Sequence, residues 1–494
     1  MSIRNHAVYR NQHNEPSYPD GMLAIAQNGL SKTKDPKKII IIGAGMAGLV
    51  SGSLLKDAGH EVLILEGNNR VGGRVYTVRD AFSKGKYLDC GAMRIPEDHY
   101  LAFEYIRKFN LPFNRFINSS KDDIILVNGV ETTRGEYEAN PDILNYPVAP
   151  HEKGKTAAEL LKGALKPFLD LYEASNQKEK EKLIKKFDRY SMDNFLLYNP
   201  LGPSLSPSAV RMVKVMLGFE GFAELSFTNT LFDIVLTVFD EDLKFYEITG
   251  GNDKLPKSFL DQLEDDILYN EKVSRIVHEE DKVTVLTRNM ETGLYDTYEA
   301  DYVISAIPFT VLQFIEVYPY DTFSFEKWRA IRELHYVSSV KVGIEFKTSF
   351  WEKYGLKGAN ALTDFASQFS YSPSANGESG IVLASYTWGD NAKLWNSLPE
   401  QERIFEALQD LAKIHGTQVY DEFLTGASFS WSQNQFSAGC FTLFLPNQAA
   451  SFPDIVKRPE GRIHFAGEHA SDFHGWIEGA LQSGIRAAHE IHTL

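Results

Sequence analysis

Gly43, Gly45 and Gly48 stand at the spacing GxGxxG, and the carboxylate of Glu66 follows eighteen residues after the third glycine. That set offers one specific chemistry, the capture of a diphosphate. The first glycine permits a tight turn, the second lets the backbone approach the phosphates, and the third lets a helix pack against a strand. Met46 and Ala47 complete the turn, where the start of a helix aims its free N–H groups at the anion. Glu66 is placed to accept the hydroxyls of a ribose. Arg70-Val71-Gly72-Gly73-Arg74 comes directly after the acid. Its paired glycines again admit close approach, and its two guanidinium groups are charge-assisted donors to phosphate.

Other residues carry chemistry of a less specific kind. Arg94 follows Gly91-Ala92-Met93, and a planar guanidinium can bind a carboxylate through two parallel hydrogen bonds. A structural ion pair is the competing reading of Arg94. His464, His469 and His474 recur every five residues, with Gly467 and Gly475 among them. On a helix that spacing scatters the rings to different sides, so they read as turn and site-wall residues, and no metal is expected. Cys90 and Cys440 are the only cysteines, too few for a disulfide framework or a thiolate zinc centre.

The elements that must position these residues are legible around them. Lys37 to Ile42 is apolar on both faces, as a buried parallel strand is. A helical stretch then runs to Ala58, Gly59 supplies a stop, and Glu61 to Leu65 forms a second strand. The uncharged run Ile39 to Leu55 is too short and too glycine-rich for a membrane span, and divides into strand, turn and helix. Leu161, Leu165, Phe168 and Tyr172 recur at helical spacing, with Pro167 expected to kink or break that helix. Asn176 to Lys186 is a highly charged, solvated helix. Few strand signals occur before Val238, so a helical insertion is expected there. Strands are expected at Val273 to His278, Lys282 to Thr287, Tyr295 to Glu299, Tyr302 to Ser305, Val340 to Phe346 and Gly380 to Tyr386, with a helix near Glu402 to Ile414.

The chain has 494 residues, more than one hydrophobic core normally serves, so two or three domains are expected. Its apolar fraction of 43% and charged fraction of 24% are those of an ordinary globular protein. The net charge of −15 repels phosphate backbones, which sets nucleic acid aside as a partner. Residues 1–30 carry Arg4, His6, Arg10, His13, Glu15 and Asp20 and lack the apolar stretch of a signal peptide, so a cytoplasmic protein is expected.

The residues after the acid narrow the reading from any dinucleotide to FAD. Arg70 to Thr77 resembles the second dinucleotide motif of the FAD-dependent flavin amine oxidase superfamily. Phe465-Ala466-Gly467-Glu468 and Gly475-Trp476-Ile477 resemble its C-terminal FAD motif. Gly91 to Pro96, Tyr105 to Phe109, Gly250 to Pro256 and Phe350 to Glu352 are similar to the L-amino-acid oxidases within it, as is the leader Leu23 to Leu30. The likeness is weakest between about Lys155 and Val238.

That resemblance implies an α/β fold: a Rossmann-type FAD-binding domain, a mixed-sheet substrate-binding domain and a helical insertion. The FAD-binding domain would comprise 36–95, 250–330 and 460–494. The substrate-binding domain would comprise 1–35, 96–150, 239–249 and 331–459, and the helical domain 151–238. It implies that Gly43, Gly45, Met46, Ala47, Gly48, Glu66, Gly73, Arg74, Gly91, Ala92, Met93, Arg94, Val273, Trp431, Gly467, Glu468, Gly475, Trp476 and Ile477 hold FAD. Arg94 and Tyr386 would bind a substrate carboxylate, Lys341 would hold a water near the reactive flavin nitrogen, and Trp476 would stand beside the flavin. The implied reaction converts L-amino acids and O2 to 2-oxo acids, ammonia and hydrogen peroxide, in a homodimer. No histidine lies between His151 and His278, so the histidine base assigned to some relatives has no counterpart and a neutral amine is expected to enter.

Alternatives remain at this point. Ser437 to Thr442 resembles the segment by which monoamine oxidases link a cysteine to FAD, so a covalent bond at Cys440 stands beside the non-covalent binding usual for L-amino-acid oxidases. A monoamine or polyamine oxidase, an amino-acid 2-monooxygenase and a flavin-binding module without turnover are the competing functions.

Overall fold

The computed structural model describes residues 15–238, 243–353, 360–373 and 380–494. The charged leader residues Arg4, His6, Arg10 and His13 lie outside them, as do parts of the proposed segments 239–249 and 331–459.

Strand Lys38–Ile42 lies at the centre of a five-stranded parallel sheet. On one side it pairs with Glu61–Leu65, which pairs with Ile267–Leu268. On the other it pairs with Tyr302–Ser305, which pairs with Ile463–Phe465. Ile39, Ile40 and Ile41 are fully buried, which is why the strand is apolar on both faces. Helix Met46–Ala58 crosses between the first two strands and ends on Gly59, whose φ of 101° is the left-handed cap that the sequence asked for. The long C-terminal helix Ile477–His492 packs on it so closely that a Cβ on Gly484 would fall 2.5 Å from the Ala47 carbonyl oxygen. The uncharged run is thus strand, turn and helix. Among the described residues no helix is long and apolar enough to cross a membrane.

A four-stranded sheet (Glu271–His278, Val283–Asn289, Tyr295–Ala300 and Glu316–Tyr318) flanks this core. A separate antiparallel sheet has Ser339–Phe346 between Ile381–Trp388 and Phe423–Ser430. Its register places Lys341 opposite Tyr386 on one side and opposite Phe429 on the other. Another sheet is mixed, since Ala361–Thr363 runs parallel to Ile124–Val127 and antiparallel to Phe369–Ser370.

Helices fill the stretch from Ala157 to Val238. Pro167 does not break the first of them, which runs unbroken from Ala157 to Glu173. The apolar stripe Leu161, Leu165, Phe168 and Tyr172 is buried and holds the helix together. The carbonyl that loses its partner to proline belongs to exposed Gly163, which faces solvent, and the proline ring rests against Gly202. The charged helix Gln177–Phe187 starts at a capping box on Asn176 and buries Ile184 and Phe187.

Candidate active site

The glycine turn has the geometry its spacing implied. Gly43 adopts φ 101°, and a Cβ on Gly48 would fall 2.0 Å from the Gly43 carbonyl oxygen, so the third position is closed to any side chain. Gly45 differs: a Cβ there would meet nothing within 4 Å, because it would project into a cavity. Gly72 folds back onto this turn, its N–H donating to Ala44 O at 2.8 Å, and Gly73 lies against Gly45. Gly91 passes so close to Arg74 that a Cβ would sit 2.0 Å from its carbonyl oxygen. The glycines of the three motifs are therefore contacts between backbones.

Glu66, just after the strand Glu61–Leu65, is buried and accepts from the N–H of Ala44 at 2.7 Å and of Asn68 at 2.8 Å. Burial raises its pKa against the pull of those two bonds. Helices Met46–Ala58 and Ile477–His492 both begin in the cavity wall, giving two N-termini that favour an anion.

The arginines of the second motif line the cavity and also make contacts within the protein. Arg74 Nη1 lies 2.5 Å from Glu468 Oε1 and 3.2 Å from the Cys440 carbonyl oxygen. Arg70 donates to the carbonyls of Val71 and Gly73 and covers the Tyr76 ring at 3.9 Å. Both guanidinium groups brace the loops that form the cradle. Glu468 also accepts from the N–H of Gly475 at 2.9 Å, tying the last glycine of the site to the same pair.

At the other end of the cavity stand the groups with catalytic potential. Arg94 is 8% exposed, donates to the Asn118 side-chain oxygen, and faces the Phe245 ring. No carboxylate among the described residues pairs with it. The Lys341 ammonium does not reach solvent as an ordinary strand lysine would. It donates to Asp89 O at 2.9 Å and Gly91 O at 2.7 Å and lies 4.5 Å from the Tyr386 ring centre. Burial brings its pKa down to about 8. Trp431 is buried with its indole N–H on the Cys90 carbonyl at 2.9 Å. Burial pushes the Tyr386 phenol above its ordinary range, so it stays protonated.

One cavity is lined by all the expected residues except Gly48, which lies behind its floor, and Lys341, which lies behind Gly91 and Tyr386. Sequence reasoning missed part of the wall. Phe222, Ile234 and Val238 enter from the helical segment beside Trp388 and Phe441. They come from a tight turn and an irregular helix, so no period marks them. His99 also lines the cavity, edge-on to Trp476 at 5.0 Å, and burial depresses its pKa to about 3. It stands three residues beyond the Gly91 to Pro96 motif, and extending that motif would have found it. The spaced histidines are separate. His464 bonds Glu490 at 2.8 Å, His474 bonds Asp233 at 3.0 Å, and His469 packs on Phe309. No metal-binding group of three or more His, Cys, Asp or Glu occurs among the described residues.

The residues fit a flavin dinucleotide. A side-chain-free floor at Gly45 and two helix N-termini suit its diphosphate, Glu66 its ribose, and the Trp431 and Trp476 wall its ring system.

Comparison with known proteins agrees with this geometry. The family model for flavin containing amine oxidoreductase matches residues 46–492. The chain is 46% identical to the YobN protein of Bacillus subtilis (strain 168) over 96% of its own length and 98% of that protein. It is 37% identical to the L-amino-acid oxidase of Siganus canaliculatus, over 96% of its length and 88% of that enzyme. Among solved structures, cyclohexylamine oxidase from Brevibacterium oxydans superposes with a TM-score of 0.70 at 22% identity, covering 93% of this chain and 98% of that one. By sequence and fold, the chain belongs to the flavin containing amine oxidoreductases, FAD-dependent enzymes, and within them to the L-amino-acid oxidase type.

Proposed function

We propose that this enzyme converts L-amino acids and O2 to 2-oxo acids, ammonia and hydrogen peroxide. The observation that carries the reading is Arg94, a buried guanidinium in the cavity wall whose side-chain partner among the described residues is the neutral Asn118. Burying a cation without an anion is costly, and a substrate carboxylate supplies the missing charge. A simple amine would leave the cost in place.

FAD held by these residues would supply the two-electron oxidation, with O2 as the final electron acceptor. The protein's part is to bind, orient and exclude. Arg94 grips the carboxylate, and the protonated Tyr386 phenol donates to the same group. Lys341 spends two of its three N–H donors on carbonyls, and the third, without a hydrogen-bond partner among the described residues, suits the holding of a water. Phe222, Ile234, Trp388 and Phe441 keep solvent from the reacting carbon and favour a bulky apolar side chain. Cys440 supports non-covalent binding, because desolvation pushes its thiol up to about 11 and little thiolate forms at neutral pH.

The test is peroxide release across the twenty amino acids and several amines. Turnover confined to L-amino acids with a 2-oxo acid product supports the reading. Turnover of amines alone makes the enzyme an amine oxidase, and an amide product makes it a monooxygenase.

A further inference from the structure

Residues Leu231 to Val235 form one turn of π-helix inside the helical segment, and Asp233 lies at its centre. A π-turn shifts the hydrogen-bond ladder, which leaves carbonyls without their ordinary partner and re-aims the side chains. Asp233 makes polar contacts through both its side chain and its backbone. Its side chain accepts from the His474 ring at 3.0 Å and from the Asn229 amide, and its carbonyl faces the Trp476 indole N–H at 3.4 Å. His474 has no hydrogen bond on its other ring nitrogen among the described residues, so its polar hold comes from this cluster. Asn229 in turn accepts from the Phe444 N–H at 2.6 Å, which fixes the cluster to a further chain segment. Between the two contacts lies Gly475, whose N–H donates to Glu468 at 2.9 Å.

We infer that Asp233 is a positioning residue for Trp476: by gripping His474 with its carboxylate and the indole with its backbone, it sets the angle of the aromatic wall at the flavin. Asp233 does not itself line the cavity, whereas its neighbour Ile234 and its client Trp476 do. The helical segment therefore shapes the site through the C-terminal loop as well as through its own apolar side chains. His474 acts in the same unit. The groups facing the pair are Asn229 and the Phe444 ring, with Glu468 and Asp472 as the nearby charges. The inference rests on the proposed amino-acid oxidation only for its kinetic readout.

The experiment is a double-mutant cycle on FAD-loaded protein with Asp233→Asn, Trp476→Phe and the combination. Two signals are read: the visible circular dichroism of the bound flavin, and kcat/KM for a bulky against a small L-amino acid. Asp233→Asn should change the dichroism and lower kcat/KM for the bulky substrate by about tenfold, with little change once Trp476 is already Phe. His474→Gln should give the same pattern should Asp233→Asn prove too unstable to isolate. Independent, multiplicative effects of the two substitutions on both signals would overturn the inference. Altered dichroism that depends on Trp476, in a protein that oxidises no amino acid, would sustain the inference while refuting the proposed function.

Discussion

Arg74 Nη1 and Glu468 Oε1 lie 2.5 Å apart and join motifs separated by 394 residues of chain. Burial opposes both charges, yet the pairing wins: the Glu468 carboxyl is held below its usual range and the Arg74 guanidinium above its own. The two charges offset one another at this point, so backbone N–H groups and helix N-termini add to the positive field that Arg70, in the same cavity wall, offers a diphosphate. Glu468→Gln leaves a buried guanidinium without its anion, which should cost about 3 kcal/mol. Thermal melts of the holoprotein should show the loss as a lower Tm, with weaker FAD retention on gel filtration.

The two glycines of the turn should respond differently to the same change. Gly48→Ala drives a methyl into the Gly43 carbonyl and should destabilise the fold with or without cofactor. Gly45→Ala meets only open space, so the apoprotein should melt unchanged while FAD affinity falls by at least about tenfold. Melting curves and FAD titrations of the two variants check this.

His469 is wholly buried, neither of its ring nitrogens has a partner among the described residues, and burial lowers its pKa to about 3. The unfolded chain takes up a proton near pH 6.5 that the folded chain refuses. The contribution to stability is therefore complete above pH 6.5 and is lost as pH falls toward 3, the loss reaching roughly 2 kcal/mol at pH 5. His469→Leu should flatten that part of the dependence of Tm on pH. An unchanged slope would show that the ring already has a way to become protonated.

With the Cys440 thiol held high, acid precipitation should release the flavin. A yellow supernatant over a colourless pellet is the expected result, and colour retained in the pellet means a covalent bond.

How much of this was legible depends on how locally each feature is encoded. The turn at Gly43 to Gly48, the strand on either side and the stop at Gly59 are set by neighbouring residues, and the structure has them where the periodicity placed them. Pro167 misled because the intrinsic cost of proline is local, whereas the burial of Leu161, Leu165, Phe168 and Tyr172 that overrides it is tertiary. Arg70 and Arg74 line the cavity, and their additional hydrogen bonds to nearby carbonyls and to Glu468 could be known only from the folded chain. The same holds for Asp233, whose importance comes from an irregular turn and a partner 241 residues away.

Replacing Arg94 with methionine tests the amino-acid reading most directly. The variant keeps most of the buried volume and removes the charge. With FAD bound, kcat/KM for L-amino acids should fall by about a hundredfold, on the order of 3 kcal/mol in transition-state binding, while any slow turnover of an aliphatic amine changes far less. An equal loss for both substrates would show that Arg94 only supports the fold, and the carboxylate assignment would fall with it.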